Sequence, residues 1–334
     1  MLEIEPYVCL YALDFSKAFD TVKHSALLQT ISQFGLPDEI FNWLNSFLQD
    51  RVHSTKWAEI ISSNVSFNAG VVQGSAVGPA AYVLCASALQ PIHAANKLFK
   101  YADDSYLLVP ASNCHTTTEE FENITHWSDY YNIKLNPNKC KEMIIFSKNR
   151  SQRHLLPQPC SAIHGITRVK SLTILGITIS DCMTLDEHIA DLSATANQTL
   201  FALRTLKRSG LSDDAIWSVC RATLIAKIMY GSPAWCGFAN KSHIDFLESI
   251  IRRAVRWNLY PANGPSVTSM MQEADKKLFR TILCNKSHVM HSLLPPIKST
   301  PYNLRSRAHD RTLPLKTFTL SKNFIYRVLY SDLH

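Results

Sequence analysis

The sequence predicts an α+β fold, an antiparallel sheet covered by helices on one face and followed by an all-helical part. Three observations predict it. Strand-like runs come in pairs joined by short turns instead of alternating singly with helices, which favours hairpins over a parallel sheet. Helical periodicity replaces the strand pattern beyond residue 184. Charge divides in the same sense: residues 1–199 carry 14 Lys plus Arg and 19 Asp plus Glu, a net of −5, while residues 200–334 carry 20 and 8, a net of +12.

Taken in order, Tyr7 to Phe15 reads as an apolar strand that delivers Asp14 near its end. Lys23 to Gln33 and Asp38 to Leu48 show apolar residues at helical spacing, punctuated by Gly35 and Pro37. Arg51 to Ile61 and Val65 to Ala69 read as strands. Gly70 to Pro79 is a loop opening a helix through about Ala95. Leu98 to Val109 predicts two strands joined at Ala102, Asp103 and Asp104, and Thr116 to Tyr131 a helix with Glu119 and Glu120 in its first turn. Lys141 to Phe146 and Leu172 to Ile179 read as strands. Leu185 to Lys207, Asp213 to Met229 and Ser242 to Trp257 read as long helices, the last ending in Arg252, Arg253 and Arg256, where cations suit the helix dipole. The tail, punctuated by Pro295, Pro296, Pro301 and Pro314 among Arg305, Arg307 and Arg311, reads as irregular until a short helix or strand over Asn323 to Tyr330.

At 334 residues with 46% hydrophobic and 18% charged content, the chain is globular and divides into two or three parts. Nine cysteines stand singly with no Cys-x-x-Cys pair, the pattern of a reduced intracellular protein. Cys284, His288 and His291 are closely spaced ligand types, but no paired cysteines complete a tetrahedral zinc site. The start, with Glu3 and Glu5, lacks the basic region and long apolar core of a signal peptide. The longest mainly apolar run, Ala76 to Leu89, is too short to span a bilayer, so no membrane role is expected.

Adjacent carboxylates at a hairpin tip repel and raise each other's pKa unless a cation neutralises them. Asp14 ends a strand able to lie beside that hairpin, which would bring three carboxylates to one edge. Such a set can hold two Mg²⁺ ions for in-line attack of a hydroxyl on a phosphate, chemistry that otherwise depends on positioning and charge neutralisation. An acidic part suited to metal followed by a basic part suited to phosphates fits a nucleic-acid enzyme.

These residues resemble the palm and thumb of reverse transcriptases from non-LTR (LINE-type) retrotransposons. LDFSKAFDTV (13–22), QGSAVGP (73–79), YADD (101–104), NPNKCKEMIIF (136–146) and LGITIS (175–180) are similar to five family motifs, in order and at fitting spacings. YNLRSR (302–307) and NFIYRVLY (323–330) resemble the C-terminal ends of element-encoded proteins, which favours this family over group II intron maturases. The resemblance implies a right-hand polymerase palm over residues 1–183, a helical thumb over 184–260 and a basic C-terminal region over 261–334.

It also implies roles. Asp14 and Asp103 would bridge two Mg²⁺ ions, with Mn²⁺ as a substitute; Asp104 would contribute more weakly, and the Phe15 main-chain carbonyl would coordinate. Phe19 would exclude a 2′-hydroxyl. Gln73 and Gly74 would line the nucleotide and template pocket, and Lys139 would approach the leaving pyrophosphate. Asp20 reads as structural. Implied partners are an RNA template, a DNA primer and deoxynucleoside triphosphates. Because the chain begins only a few residues before the first motif, the fingers are expected to be largely missing and extension by the chain alone feeble. A catalytically inactive remnant that only binds nucleic acid is the alternative.

Overall fold

In a computed structural model the chain is described over residues 1–72, 74–147, 157–163, 165–298 and 311–331. It forms two compact units, Met1–Lys170 and Ser171–His334. Among the described residues no helix is long and apolar enough to cross a membrane.

The first unit opens with β1 (Tyr7–Leu13), then β2 (Phe15–Ser16), α1 (Ala18–Thr21), α2 (His24–Ser32) and α3 (Asp38–Leu48). The expected strands of 51–69 are only four dipeptides, β3 (Val52–His53), β4 (Lys56–Trp57), β5 (Ile60–Ile61) and β6 (Val65–Ser66), which pair within an exposed hairpin. Next come α4 (Val77–Ser87), β7 (Lys97–Tyr101), β8 (Asp104–Pro110), α5 (Thr117–Tyr130), β9 (Lys134–Leu135), β10 (Lys141–Phe146) and β11 (Thr167–Val169). The helix expected through Ala95 stops at Ser87, and Pro91, which cannot continue a helix, follows closely.

The five-stranded sheet has the order β11-β10-β1-β8-β7, antiparallel except for the parallel edge pair β10–β11. Tyr7, Cys9, Tyr11 and Leu13 of β1, with Leu107 and Val109 of β8 and Ile144 of β10, pack against α2, α4 and α5 through Leu27, Tyr82, Cys85, Ile124 and Trp127. Val8, Leu10, Met143 and Ile145 are buried as well, which explains why β1 is apolar nearly throughout instead of alternating. Glu142 is buried on β10, where it accepts from the Arg168 guanidinium at 2.6 Å and 3.1 Å and from the Tyr11 hydroxyl at 2.9 Å.

The cysteine reading needs one correction. Cys114 and Cys160 form a disulfide, 46 residues apart in sequence and therefore not marked by any local pairing signature. Cys9, Cys85 and Cys140 are buried thiols.

The second unit begins with the hairpin β12 (Ser171–Ile174) and β13 (Ile177–Ser180). Ile177 and Ile179 pack on the helical core, so contacts divide the chain ahead of residue 184, where the sequence pattern changes. The helices are α6 (Asp186–Arg208), α7 (Asp213–Cys220), α8 (Ala226–Met229), α9 (Ser232–Trp235), α10 (Lys241–Arg256), α11 (Val267–Cys284), α12 (Phe318–Lys322) and α13 (Phe324–Tyr330). A π-helical turn, Arg221–Ile225, joins α7 to α8, matching the single helix expected over 213–229. One long helix stands where the sequence predicts none: Ser266 caps α11, whose buried Val267, Met271, Phe279 and Ile282 recur at helical intervals. The described residues 285–298 and 311–317 are turns and coil as expected, and α13 falls on the expected short element. α13 closes a small core with Phe279 and Ile282, and Arg327 reaches the buried Asp275 and the Pro233 carbonyl. Arg305, Arg307 and the stretch 302–307 lie outside the described residues.

Candidate active site

Asp14 follows directly on β1, whose register with β8 ends at Leu13 opposite Ser105. Continuing that register sets Asp14 beside Asp104, the first residue of β8. Asp103 occupies the two-residue turn before it, with Ala102 at φ 52°, a left-handed conformation that strains a residue bearing a Cβ. Tyr101 and Asp104 pair across the turn. Burial first, then the charges of Asp103 and Asp14, hold the Asp104 carboxyl above the ordinary carboxylate range. The register thus sets Asp14 and Asp104 at one end of the sheet, with Asp103 in the adjoining turn.

The sign of that shift sets an expectation for stability. A carboxyl with a raised folded-state pKa is ionised at a cost, absent at low pH and appearing as pH rises through the carboxylate range. Asp104→Asn removes the cost, so the metal-free protein should melt higher at pH 7 and indistinguishably at pH 3. Calorimetry at the two pH values checks this; a lower melting temperature at pH 7 would contradict it.

Asp14 is gripped through its main chain by the turn between β9 and β10. Its carbonyl accepts from the Asn136 N–H at 2.9 Å, and its N–H donates to Cys140 Sγ at 3.4 Å. Lys139 is exposed on the same turn, its N–H bonded to the Asn136 carbonyl at 3.0 Å. The structure thus brings together the turn carrying Lys139 and Asp14, 125 positions apart in sequence. Phe15 is buried with its ring edge-on to Trp127, centroids 5.4 Å apart, which pins the backbone next to Asp14.

Phe19 lies in α1, its ring tilted 32° over Tyr82 with centroids 4.5 Å apart. Tyr82 is buried on α4, and its hydroxyl pKa is raised by burial, then by Cys85 and Asp103. The loop before α4 is stitched to the Phe19 segment: Val71 N–H donates to the Phe19 carbonyl at 2.7 Å and Gly70 N–H to the Val22 carbonyl at 2.8 Å. A Cβ on Gly70 would stand 2.7 Å from the Asp20 carbonyl oxygen, so only glycine allows this approach. Gly74 has φ 81° and nothing within 4 Å of where a Cβ would sit, leaving its backbone open to a ligand. Gln73 lies outside the described residues.

The donor chemistry fits a hard divalent cation, since carboxylate oxygens repel one another beside Asp104 and a cation would relieve that. The side chains are not drawn into a closed ligand group: among the described residues no three His, Cys, Asp or Glu side chains are placed to hold a metal. That includes Cys284, His288 and His291. His291 Nδ1 is bonded to the Ile282 carbonyl at 2.8 Å, and His288 Nδ1 accepts from the Met290 N–H at 3.1 Å.

Three participants were not singled out from the sequence: Tyr82 beneath Phe19, and Asn136 and Cys140 around Asp14. Asn136 and Cys140 stand inside the fourth motif, but nothing local indicates that they act on the first.

Residues 2–179 match the family described as reverse transcriptase (RNA-dependent DNA polymerase). The RNA-directed DNA polymerase from mobile element jockey of Drosophila melanogaster is 24% identical over 270 residues, 76% of this chain and 29% of that protein. A 115 kDa protein of the type-1 retrotransposable element R1DM of the same species is 28% identical over 238 residues, 69% of this chain and 22% of that protein. The chain thus spans less than a third of the length of these relatives. Among solved structures, a Candida tropicalis telomerase with a telomeric RNA fragment aligns at a TM-score of 0.42 and 14% identity, over 86% of this chain and 49% of that one. With more than half of its length matched by the family model and its motifs in order, the chain belongs to the reverse transcriptase (RNA-dependent DNA polymerase) family, in the non-LTR retrotransposon branch.

Proposed function

We propose that the chain is the catalytic part of an RNA-directed DNA polymerase, the first unit serving as palm and the helical, basic second unit as thumb. The observation that carries this reading is the β1–β8 register with the Tyr101–Asp104 turn, which sets Asp14, Asp103 and Asp104 at one end of the sheet. Asp14, Asp103, Asp104 and the Phe15 carbonyl would hold magnesium, with manganese as a substitute. When bound, such ions lower the pKa of an attacking hydroxyl and neutralise charge on the leaving oxygen.

The protein's own residues have separate tasks. Asn136 and Cys140 hold Asp14 in place through its backbone. Gly74 lets main chain approach the nucleotide closely, while Gln73 supplies an amide for the template pair. Lys139, exposed on the turn that grips Asp14, supplies positive charge or a proton toward pyrophosphate. Phe19, backed by Tyr82, presents a ring edge against the sugar. RNA template, DNA primer and deoxynucleoside triphosphates are the corresponding substrates.

The test is RNA-templated primer extension by residues 1–334, run in parallel with the same residues joined at their amino end to the part of the jockey polymerase that precedes its aligned 270 residues. Within the joined chain, Phe19→Ala should raise ribonucleotide incorporation relative to deoxynucleotide by roughly 10–100-fold, because a clash and not a hydrogen bond enforces the choice. Unchanged sugar selectivity in an active enzyme would return Phe19 to a packing role. The second reading, a chain that binds nucleic acid without catalysis, is favoured by the carboxylates' open placement. Absence of extension with hybrid binding intact would select it.

A further inference from the structure

Lys100 stands in β7 opposite Ser105, one residue before the Tyr101–Asp104 turn. Lysines on strands are ordinarily solvated. This one is half-buried, and its ammonium donates to the carbonyls of Ala86 and Leu89, both at 2.6 Å. These acceptors lie at the C-terminal end of α4, where a helix leaves carbonyls without donors and its dipole is negative. The neighbouring Cys85 carbonyl accepts from Trp127 Nε1 at 3.3 Å.

α4 connects the other parts of the site. Its N-terminal end continues from the loop of Gly74, where Ser75 Oγ accepts from the Gly78 N–H at 3.0 Å. One turn before Ala86 it carries Tyr82, which backs Phe19 and is coupled by charge to Asp103. The helix bearing the nucleotide loop and gate support is thus tied to the carboxylate hairpin by one side chain.

We infer that Lys100 is a positioning residue: its ammonium locks the end of α4 to the hairpin and so sets the Phe19–Tyr82 pair and the Gly74 loop against Asp103 and Asp104. Its consequence for catalysis rests on the polymerase reading above; its mechanical part does not. Loss of the two bonds should leave the fold standing, because Glu120 separately holds the chain beyond α4, accepting from the N–H groups of Ile92 at 3.1 Å and His93 at 3.0 Å.

The experiment uses residues 1–334 as wild type, Lys100→Met and Lys100→Arg. Hydrogen exchange should accelerate about tenfold or more in Lys100→Met, confined to residues 101–106 and the C-terminal turn of α4, as expected for loss of a local tie. Mn²⁺ binding followed by electron paramagnetic resonance should weaken by about three- to tenfold, since misplaced ligands lose affinity, and Lys100→Arg should restore most of both. Unchanged hairpin exchange in Lys100→Met would overturn the proposal. So would acceleration spread evenly over the first unit without rescue by arginine, which is the mark of general destabilisation. If wild type binds no Mn²⁺ at all, the metal reading of the carboxylates fails, and the exchange pattern still decides the role of Lys100.

Discussion

Asp103→Asn and Asp14→Asn should each reduce RNA-templated extension by a thousandfold or more, roughly 4 kcal/mol of barrier, while hybrid affinity stays within about twofold. Asparagine keeps the size and most of the hydrogen bonding of aspartate but not its charge, so the groove persists and ion affinity goes. At Asp14 the separation is clean, because its backbone is held by Asn136 and Cys140 independently of the side chain. Asp104→Asn should cost less, its carboxylate being the one disfavoured by burial and by both neighbours. Single-turnover extension in Mg²⁺ with a preformed RNA and DNA hybrid reads the rate, and fluorescence anisotropy reads the affinity. Near wild-type extension by either variant would sink the two-metal assignment.

Hybrid binding should be strongly salt-dependent. Phosphate contacts dominate such affinity, and each one releases condensed counterions. The second unit supplies the cations in defined places. Arg204 lies over the Trp257 ring at 4.9 Å, Arg253 donates to Asn197 at 2.6 Å, and Arg252 and Arg256 are exposed on α10. Lys207 is partly occupied, bridging Asp213 at 2.8 Å and the Asn258 carbonyl at 2.9 Å. With about five phosphates engaged, log Kd should change with log salt at a slope near 4 to 5, a loss of a few hundredfold between about 50 and 200 mM. Replacing Arg252 and Arg256 with Ala should lower the slope by about one each, with little change in melting temperature. A flat salt profile, or no binding at low salt, would remove the basic second unit from the binding surface.

Much of this was legible before any coordinates. The hairpin around Asp103 and Asp104, the α3 helix over 38–48 and the strand over 141–146 fall where period and punctuation set them. So do α6, α10 and the joined α7 and α8, each within a residue or two. What failed did so for physical reasons. The 51–69 stretch has strand composition but forms only two-residue strands that pair with one another, with a single bridge from Ala69 to Lys23, and Trp57, Ile60 and Ile61 remain exposed there. α11 has no counterpart among the sequence-predicted elements, although its buried Val267, Met271 and Phe279 lie at helical spacing within one element.

By itself the sequence determined the residue chemistry and its order: three carboxylates, an aromatic after the first, a glycine loop, a lysine turn, and a basic half behind an acidic one. These are properties of composition and short-range spacing, which the chain carries in any conformation. Only the tertiary structure decided which of them meet. Asp14 comes to Asp104 through the β1–β8 register, Asn136 and Cys140 close on Asp14, Tyr82 slides under Phe19, and Lys100 ties α4 to the hairpin. These pairings span from 11 to 126 residues and are selected by strand register and core packing, whose energy depends on all the elements at once and leaves no local signature.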